Sequence, residues 1–139
     1  MFKTIIIGLD GSERSLKALL YGQSLAETYS ASLIMVHAYP HTSDLHDCEG
    51  YDSLLAKRKG KGERVLDAGA KLLTDAEFPV ERDLLEGPAA DALISVAQTR
   101  KADLIIMGTR GMGAVKGLIF GSVATKVSHH APCPVLVVR

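Results

Sequence analysis

Apolar residues in this chain form short continuous runs, separated by stretches in which they recur every third or fourth position. Thr4-Ile5-Ile6-Ile7-Gly8-Leu9 is the first run. Uninterrupted and β-branched, it predicts a strand buried on both faces. It stops at Asp10-Gly11-Ser12-Glu13, where Ser12 is placed to cap a helix. Leu16, Leu19, Leu20, Gln23 and Ala26 then recur at helical spacing, and the pattern fades near Tyr29-Ser30. Ser32 to Ala38 predicts a second buried strand. Tyr39 to Asp52 is polar and turn-rich, with Pro40 and Gly50, and reads as the long loop. A second helix follows from about Ser53 to Ala76, with Val65, Leu66, Gly69, Leu72, Leu73 and Ala76 on one side. Its first half carries Lys57, Arg58, Lys59, Lys61 and Arg64, which read as a solvated face.

Pro79 to Leu85 alternates polar and apolar positions, as an edge strand does. Gly87-Pro88 opens a third helix, whose core stripe is Leu93, Ile94 and Ala97. Ala102 to Met107 predicts a fourth strand, and a glycine-rich segment runs from Gly108 to Gly121. A last helix over Ser122 to His130 ends at Pro132-Cys133-Pro134, and Val135 to Val138 forms a fifth strand. No linker, repeat or low-complexity tract divides the chain, so residues 1–139 read as a single domain. Strands and helices alternate throughout, which predicts an α/β fold: a doubly wound parallel sheet with helices on both faces. In such sheets ligands sit beyond the carboxyl ends of the strands, where the winding reverses. With the first and fourth strands as neighbours there, Asp10 and Gly108 face one crevice.

Composition narrows the partners. Among 139 residues, 16 basic and 16 acidic side chains cancel, and 47% of positions are apolar. Neutrality argues against nucleic acid, whose binding rests on a basic surplus, and against a polybasic membrane-surface protein. Apolar runs such as Leu104 to Met107 are too short to span a bilayer, and nothing at the start reads as a secretion signal. Cys48 and Cys133 form no CxxC pair and read as reduced thiols, so a cytoplasmic protein is expected.

The candidate chemistry lies in Gly108-x2-Gly111-x9-Gly121-Ser122. Glycine lets the backbone approach a ligand closely, and the start of the last helix offers unpaired N–H groups and a dipole that favour an anion. Ser122 adds a hydroxyl at that place, while Arg110 or Lys116 supplies charge from the loop. No GxxxxGK precedes a Ser or Thr, and the first strand does not end in GxGxxG, so both common nucleotide signatures are rejected. Plainer roles stand beside these. The glycines can be turn residues, and Asp10 or Ser122 can act as helix caps. Met107 and Met112 can be packing, His37 a hydrogen-bonded core histidine, and His129-His130 dipole partners of the last helix. The spacing of His41, Asp44, His46, Asp47 and Cys48 matches no standard zinc set.

The glycine motif, Asp10, Val36-His37-Ala38 and the closing Ala131-Pro132-Cys133-Pro134-Val135 together resemble the ATP-binding branch of the universal stress protein family. The resemblance covers essentially the whole chain, least well over Tyr39 to Asp52. It implies a three-layer, five-stranded sheet of order 3-2-1-4-5, Rossmann-like and of the adenine nucleotide alpha hydrolase-like kind. It implies that Asp10 bonds ribose hydroxyls, that Gly8 and Leu9 line the base and ribose pocket, and that the Ala38 backbone reads the adenine edge. Met107 and Gly108 would cover the nucleoside, and Gly111, Gly121, Ser122 and Val123 would hold phosphates. The expected ligand is ATP, or ADP or AMP, with Mg²⁺ or Mn²⁺ carried on the phosphates rather than held by side chains. The expected function is nucleotide-dependent regulation of a stress response.

Two other functions compete. Efficient phosphoryl transfer needs a base or water-orienting group and metal ligands, and Asp10 is the one acid expected at the crevice, so hydrolysis is expected to be slow at most. A dimeric interaction protein without nucleotide is the third reading; the family's non-binding branch tends to lose the glycine motif that is intact here. Pro134 to Arg139 is a short apolar strand whose open edge would pair with that of a second copy, so a homodimer through this strand is expected. A further protein partner fits the regulatory reading.

Overall fold

The computed structural model describes residues 1–42, 45, 49–109 and 120–139. Along them run β1 (Thr4–Gly8), α1 (Glu13–Tyr29), β2 (Ser32–Tyr39), α2 (Tyr51–Leu72), β3 (Val80–Glu86), α3 (Ala89–Thr99), β4 (Leu104–Gly108), α4 (Ser122–His130) and β5 (Val135–Val138). All strand pairs are parallel, and the sheet order is β3-β2-β1-β4-β5, as expected. The winding reverses between β1 and β4, where Ile5, Ile6 and Ile7 stand opposite Leu104, Ile105 and Ile106.

Alternation along each strand divides the core in two. Ile5, Ile7, Leu9, Leu33, Met35, Leu104 and Ile106 pack under α1 and α2. Ile6, Ile34, Val36, Ile105 and Met107 pack under α3 and α4. Because both faces are covered, the central strands appear in the sequence as unbroken apolar runs.

The helix faces depart from the predicted stripes. In α1 the buried residues are Ser15, Ala18, Leu19, Gly22 and Ala26, while Leu20 is 50% exposed. The physical reason is close approach: a Cβ on Gly22 would lie 2.3 Å from Ile7 Cδ1, so the contact stripe is made of small residues. In α2 the buried residues are Gly62, Leu66 and Gly69, and Leu72 is largely exposed at the helix end. That helix starts at Tyr51 and stops at Leu72, inside the predicted Ala76, because the chain turns after Leu73. Tyr39, predicted in the loop, is the last residue of β2 and is buried, with Lys59 Nζ 5.9 Å from its ring centre. In α3 the stripe is Ala90, Ala92, Leu93, Val96 and Ala97, and Ile94 is only half-buried.

The ends of the sheet are finished differently. At the amino end, Asp103 accepts from the backbone N–H of Lys3 at 2.8 Å and of Thr4 at 2.9 Å. At the carboxyl end the strands stop at Gly8, Tyr39 and Gly108. Thr42 anchors the segment after β2, donating its N–H and its hydroxyl to Glu86, each at 2.7 Å. Among the described residues no helix is long and apolar enough to cross a membrane.

Candidate functional site

Past β1 the chain must turn sharply into α1, and Gly11 takes a φ of +86° to do so, in the left-handed region that favours glycine. Ser12 then caps α1, its hydroxyl oxygen accepting from Ser15 N–H at 3.2 Å. Asp10 is therefore not the cap. Its carboxylate instead accepts from the Ser12 backbone N–H at 2.9 Å and from the Ser12 hydroxyl, which orients the capping serine. The carboxylate is held half-buried at the mouth of the sheet.

Beside it lies a cavity of about 70 Å³ on the α3/α4 face, lined by Gly8, Leu9, Asp10, Val36, Ala38, Ala89, Leu93, Met107, Gly108 and Val123. Small residues make the space. A Cβ on Gly8 would come within 3.2 Å of Leu93 Cδ1, so even one methyl would crowd the floor. Leu9 enters through its backbone, because its side chain packs under α2 against Gly69, where a Cβ would lie 2.8 Å away. The Leu9 carbonyl accepts from His37 Nδ1 at 2.7 Å. A carbonyl cannot donate, so Nδ1 carries the proton, and His37 is the hydrogen-bonded histidine its position suggested.

The rim on the far side is the start of α4. Gly121 is its N-cap, in extended conformation and without a side-chain cap bond, and Ser122 is the first helical residue rather than the cap. Glycine has no side chain with which to cap the first-turn N–H groups of α4, which lie at the positive end of the helix dipole. Gly121 N–H donates to the Thr109 carbonyl at 2.7 Å, and Thr109 N–H donates to the Val138 carbonyl at 2.8 Å. These bonds bring both ends of the glycine segment to the carboxyl edge.

Of the residues singled out in the sequence, Gly8, Leu9, Asp10, Ala38, Met107, Gly108 and Val123 thus line one cavity, with Gly121 and Ser122 adjoining Val123 in α4. Arg110, Gly111, Met112 and Lys116 lie outside the described residues, as do Asp44, His46, Asp47 and Cys48. Val36, Ala89 and Leu93 were not foreseen as lining residues. Ala89 had a signal, since it is the first residue of the helix that Gly87-Pro88 opens beyond β3. Among the described residues no group of three or more His, Cys, Asp or Glu is placed to hold a metal ion. Cys133, half-buried below β5, has its thiol pushed up by burial and by Asp103, as an inert packing cysteine does.

A doubly wound sheet with a cavity at its reversal point defines the class, and the comparisons with known proteins define the family. The model of the universal stress protein family matches residues 1–139. The universal stress protein in the QAH/OAS sulfhydrylase 3′ region of Thermus aquaticus is 42% identical over 142 residues, covering 100% of both chains. The solved structure of hypothetical protein MJ0577 superimposes with a TM-score of 0.88 at 26% identity, covering 99% of this chain and 96% of that one. A universal stress protein crystallised in complex with cAMP is 29% identical, with a TM-score of 0.75, covering 99% of this chain and 97% of that one. This chain belongs to the universal stress protein family.

Proposed function

We propose that this protein binds an adenine nucleotide at the carboxyl edge of its sheet and regulates a stress response through that binding. The observation that carries the reading is one cavity bounded by small residues, a fixed carboxylate and a helix start whose N-cap is glycine. The base enters between Gly8, Ala38 and Met107, with the Ala38 backbone at its polar edge. Asp10 takes the ribose hydroxyls, and its bonds to Ser12 keep it in place to do so. Phosphates lie against Gly121, Ser122 and Val123, where the N–H groups of Ser122 and Val123 and the helix dipole hold negative charge. Gly108 covers the nucleoside with Met107, and the motif alone assigns Gly111 to the phosphates and Arg110 to their charge. The cAMP complex of a relative supports an adenine ligand. ATP, ADP and AMP share all of these contacts except the length of the phosphate chain, and Mg²⁺ or Mn²⁺ would arrive on the phosphates.

Among the described residues lining the cavity, Asp10 is the one carboxylate. A base for fast hydrolysis would have to compete with its ribose role, so binding rather than turnover is the favoured reading. The protein would act in the cytoplasm as a homodimer. β5 supports the dimer: it is an edge strand of four apolar residues, of which Val135, Leu136 and Val137 are only half-buried.

Denaturing the purified protein and chromatographing the supernatant tests the ligand, with ATP, ADP or AMP expected at a sizeable fraction of the protein concentration. Added ATP should raise the melting temperature, and Gly121→Val should remove most of that rise by placing a side chain against the phosphates. No released nucleotide together with an unchanged melting temperature would overturn the reading. Sedimentation at micromolar concentration tests the dimer, and a monomer there would exclude it.

A further inference from the structure

A second cleft opens at the same edge of the sheet, on the α2 face, with a volume of about 520 Å³. Leu54, Val65 and Pro40 give it apolar walls, and Lys57, Arg58 and Lys61 bound it from α2. Lys57 and Lys61 are one helical turn apart and so lie on the same side of α2. Neither forms an ion pair among the described residues. Arg58 donates to the carbonyl oxygens of His41 at 2.9 Å and Pro40 at 3.5 Å, which anchors the guanidinium without neutralising it. Lys57, Lys59, Lys61 and Arg64 are exposed, as the solvated face expected from the sequence requires. Part of it bounds a concave surface, where apolar walls concentrate the field of the charges.

Asp10 lines this cleft as well as the smaller cavity, so the two adjoin at this residue. Among the described lining residues it is the one acid, set against three cations. The next step rests on the nucleotide reading above. With Asp10 at the ribose hydroxyls and the 5′ phosphates at α4, the 2′ and 3′ oxygens of the sugar lie at the border of the cationic cleft. The geometry points to a second anion subsite, for an adenine nucleotide that carries a further phosphoryl group on its ribose 2′ or 3′ oxygen. Asp10 keeps the remaining hydroxyl, and Lys57 and Lys61 receive the added phosphoryl group. The same chemistry is offered by a free phosphomonoester and by a link to a second nucleoside.

Titration calorimetry of the whole chain tests this with four ligands: AMP, adenosine 3′,5′-bisphosphate, adenosine 2′,5′-bisphosphate and a 3′–5′-linked adenine dinucleotide carrying a 5′ phosphate. At least one ligand with the added phosphoryl group should bind about tenfold tighter than AMP, as charge-assisted contacts allow. In the Lys57→Gln, Lys61→Gln double variant that gain should vanish while AMP affinity and the melting temperature stay at the parent values. A gain shared by the dinucleotide places a second nucleoside in the cleft, and a gain confined to the bisphosphates restricts it to phosphate. Binding of AMP with no gain from any of the other ligands, or a gain that survives the double substitution, overturns the subsite and leaves the nucleotide site standing. Tight bisphosphate binding without AMP binding would support the subsite and revise the primary reading. If none of the four binds, the subsite falls, and the melting response to ATP decides the nucleotide site.

Discussion

On the face of the sheet under α1 and α2, glycines are used up by their neighbours. The space a side chain would need at Gly22 is taken by Ile7, at Gly62 by Leu84 and at Gly69 by Leu9 and Met35. Under α3 and α4 the small residues Gly8, Ala38 and Ala89 instead border a cavity. The same economy of side-chain volume thus closes one face and opens the other. What covers each face differs as well: two long helices seated on the sheet by glycine, against two shorter ones packed on it through Ala90, Leu93, Ala97, Ala124 and Val127. Glycine contacts are accordingly tightest between the sheet and α1 and α2, while the small cavity at the strand ends lies under α3 and α4.

The largest effect should come from filling a used space. Gly22→Val places a branched side chain on Ile7, which is fully buried and has nowhere to retreat. It should destabilise the fold by about 3 kcal/mol, the upper range for overpacking, even though leaving glycine favours the helix by up to about 1 kcal/mol. A denaturant midpoint close to that of the parent would break the comparison at its strongest point.

Filling the open space should do the reverse. Ala89→Leu adds volume comparable to the 70 Å³ cavity at a half-buried position in the first turn of α3. Stability should move by no more than about 0.5 kcal/mol, while AMP affinity falls by about tenfold or more. Calorimetry and a melting curve on the same sample separate the two responses. An unchanged affinity would mean that the base lies elsewhere.

This contrast also explains how much could be read from the chain. The strands were legible because burial on both faces leaves no polar position to confuse the pattern, as in Ile5-Ile6-Ile7. The helix faces were less legible. Leu20 and Leu72 look like core residues but lie outward, because the contact is made at Gly22 and Gly69, where leucine would not fit. At the site, Asp10, Gly108, Gly121 and Ser122 announced themselves through backbone demands and motif spacing. Val36, Ala89 and Leu93 did not, since an apolar residue beside a cavity reads like one in a filled core. The α2 cleft was hidden for another reason: the basic run is solvated as it reads, and its concavity arises only when the fold sets Pro40 and His37 beside it.

A third prediction concerns the closed amino end of the sheet. The N–H groups of Thr4 and Lys3 hold the Asp103 carboxyl below the usual carboxylate range. Folding therefore favours its ionised form, so its contribution is complete above about pH 5 and is lost as the pH falls through the depressed folded value. Asp103→Ala should cost about 1 kcal/mol near neutrality, and the gap to the parent should close in the acid limb. Denaturation at neutral and strongly acidic pH measures it; a gap that is the same at both would assign the loss to packing rather than charge.

The smallest effect is expected where the α2 face looks most strongly tied. Arg82 on edge strand β3 reaches Glu63 and Asp67 of α2, both at 2.8 Å, but the side chains are 36%, 55% and 58% exposed. Water and salt screen such pairs, and holding a long side chain in place costs entropy. Arg82→Ala should therefore lower stability by about 0.5 kcal/mol, with most of that difference gone at about 0.5 M salt. Urea midpoints at low and high salt decide the matter. A loss as large as that of Gly22→Val would mean that ion pairs, and not glycine contacts, hold α2 against the sheet, and the division between a closed face and an open one would need another cause.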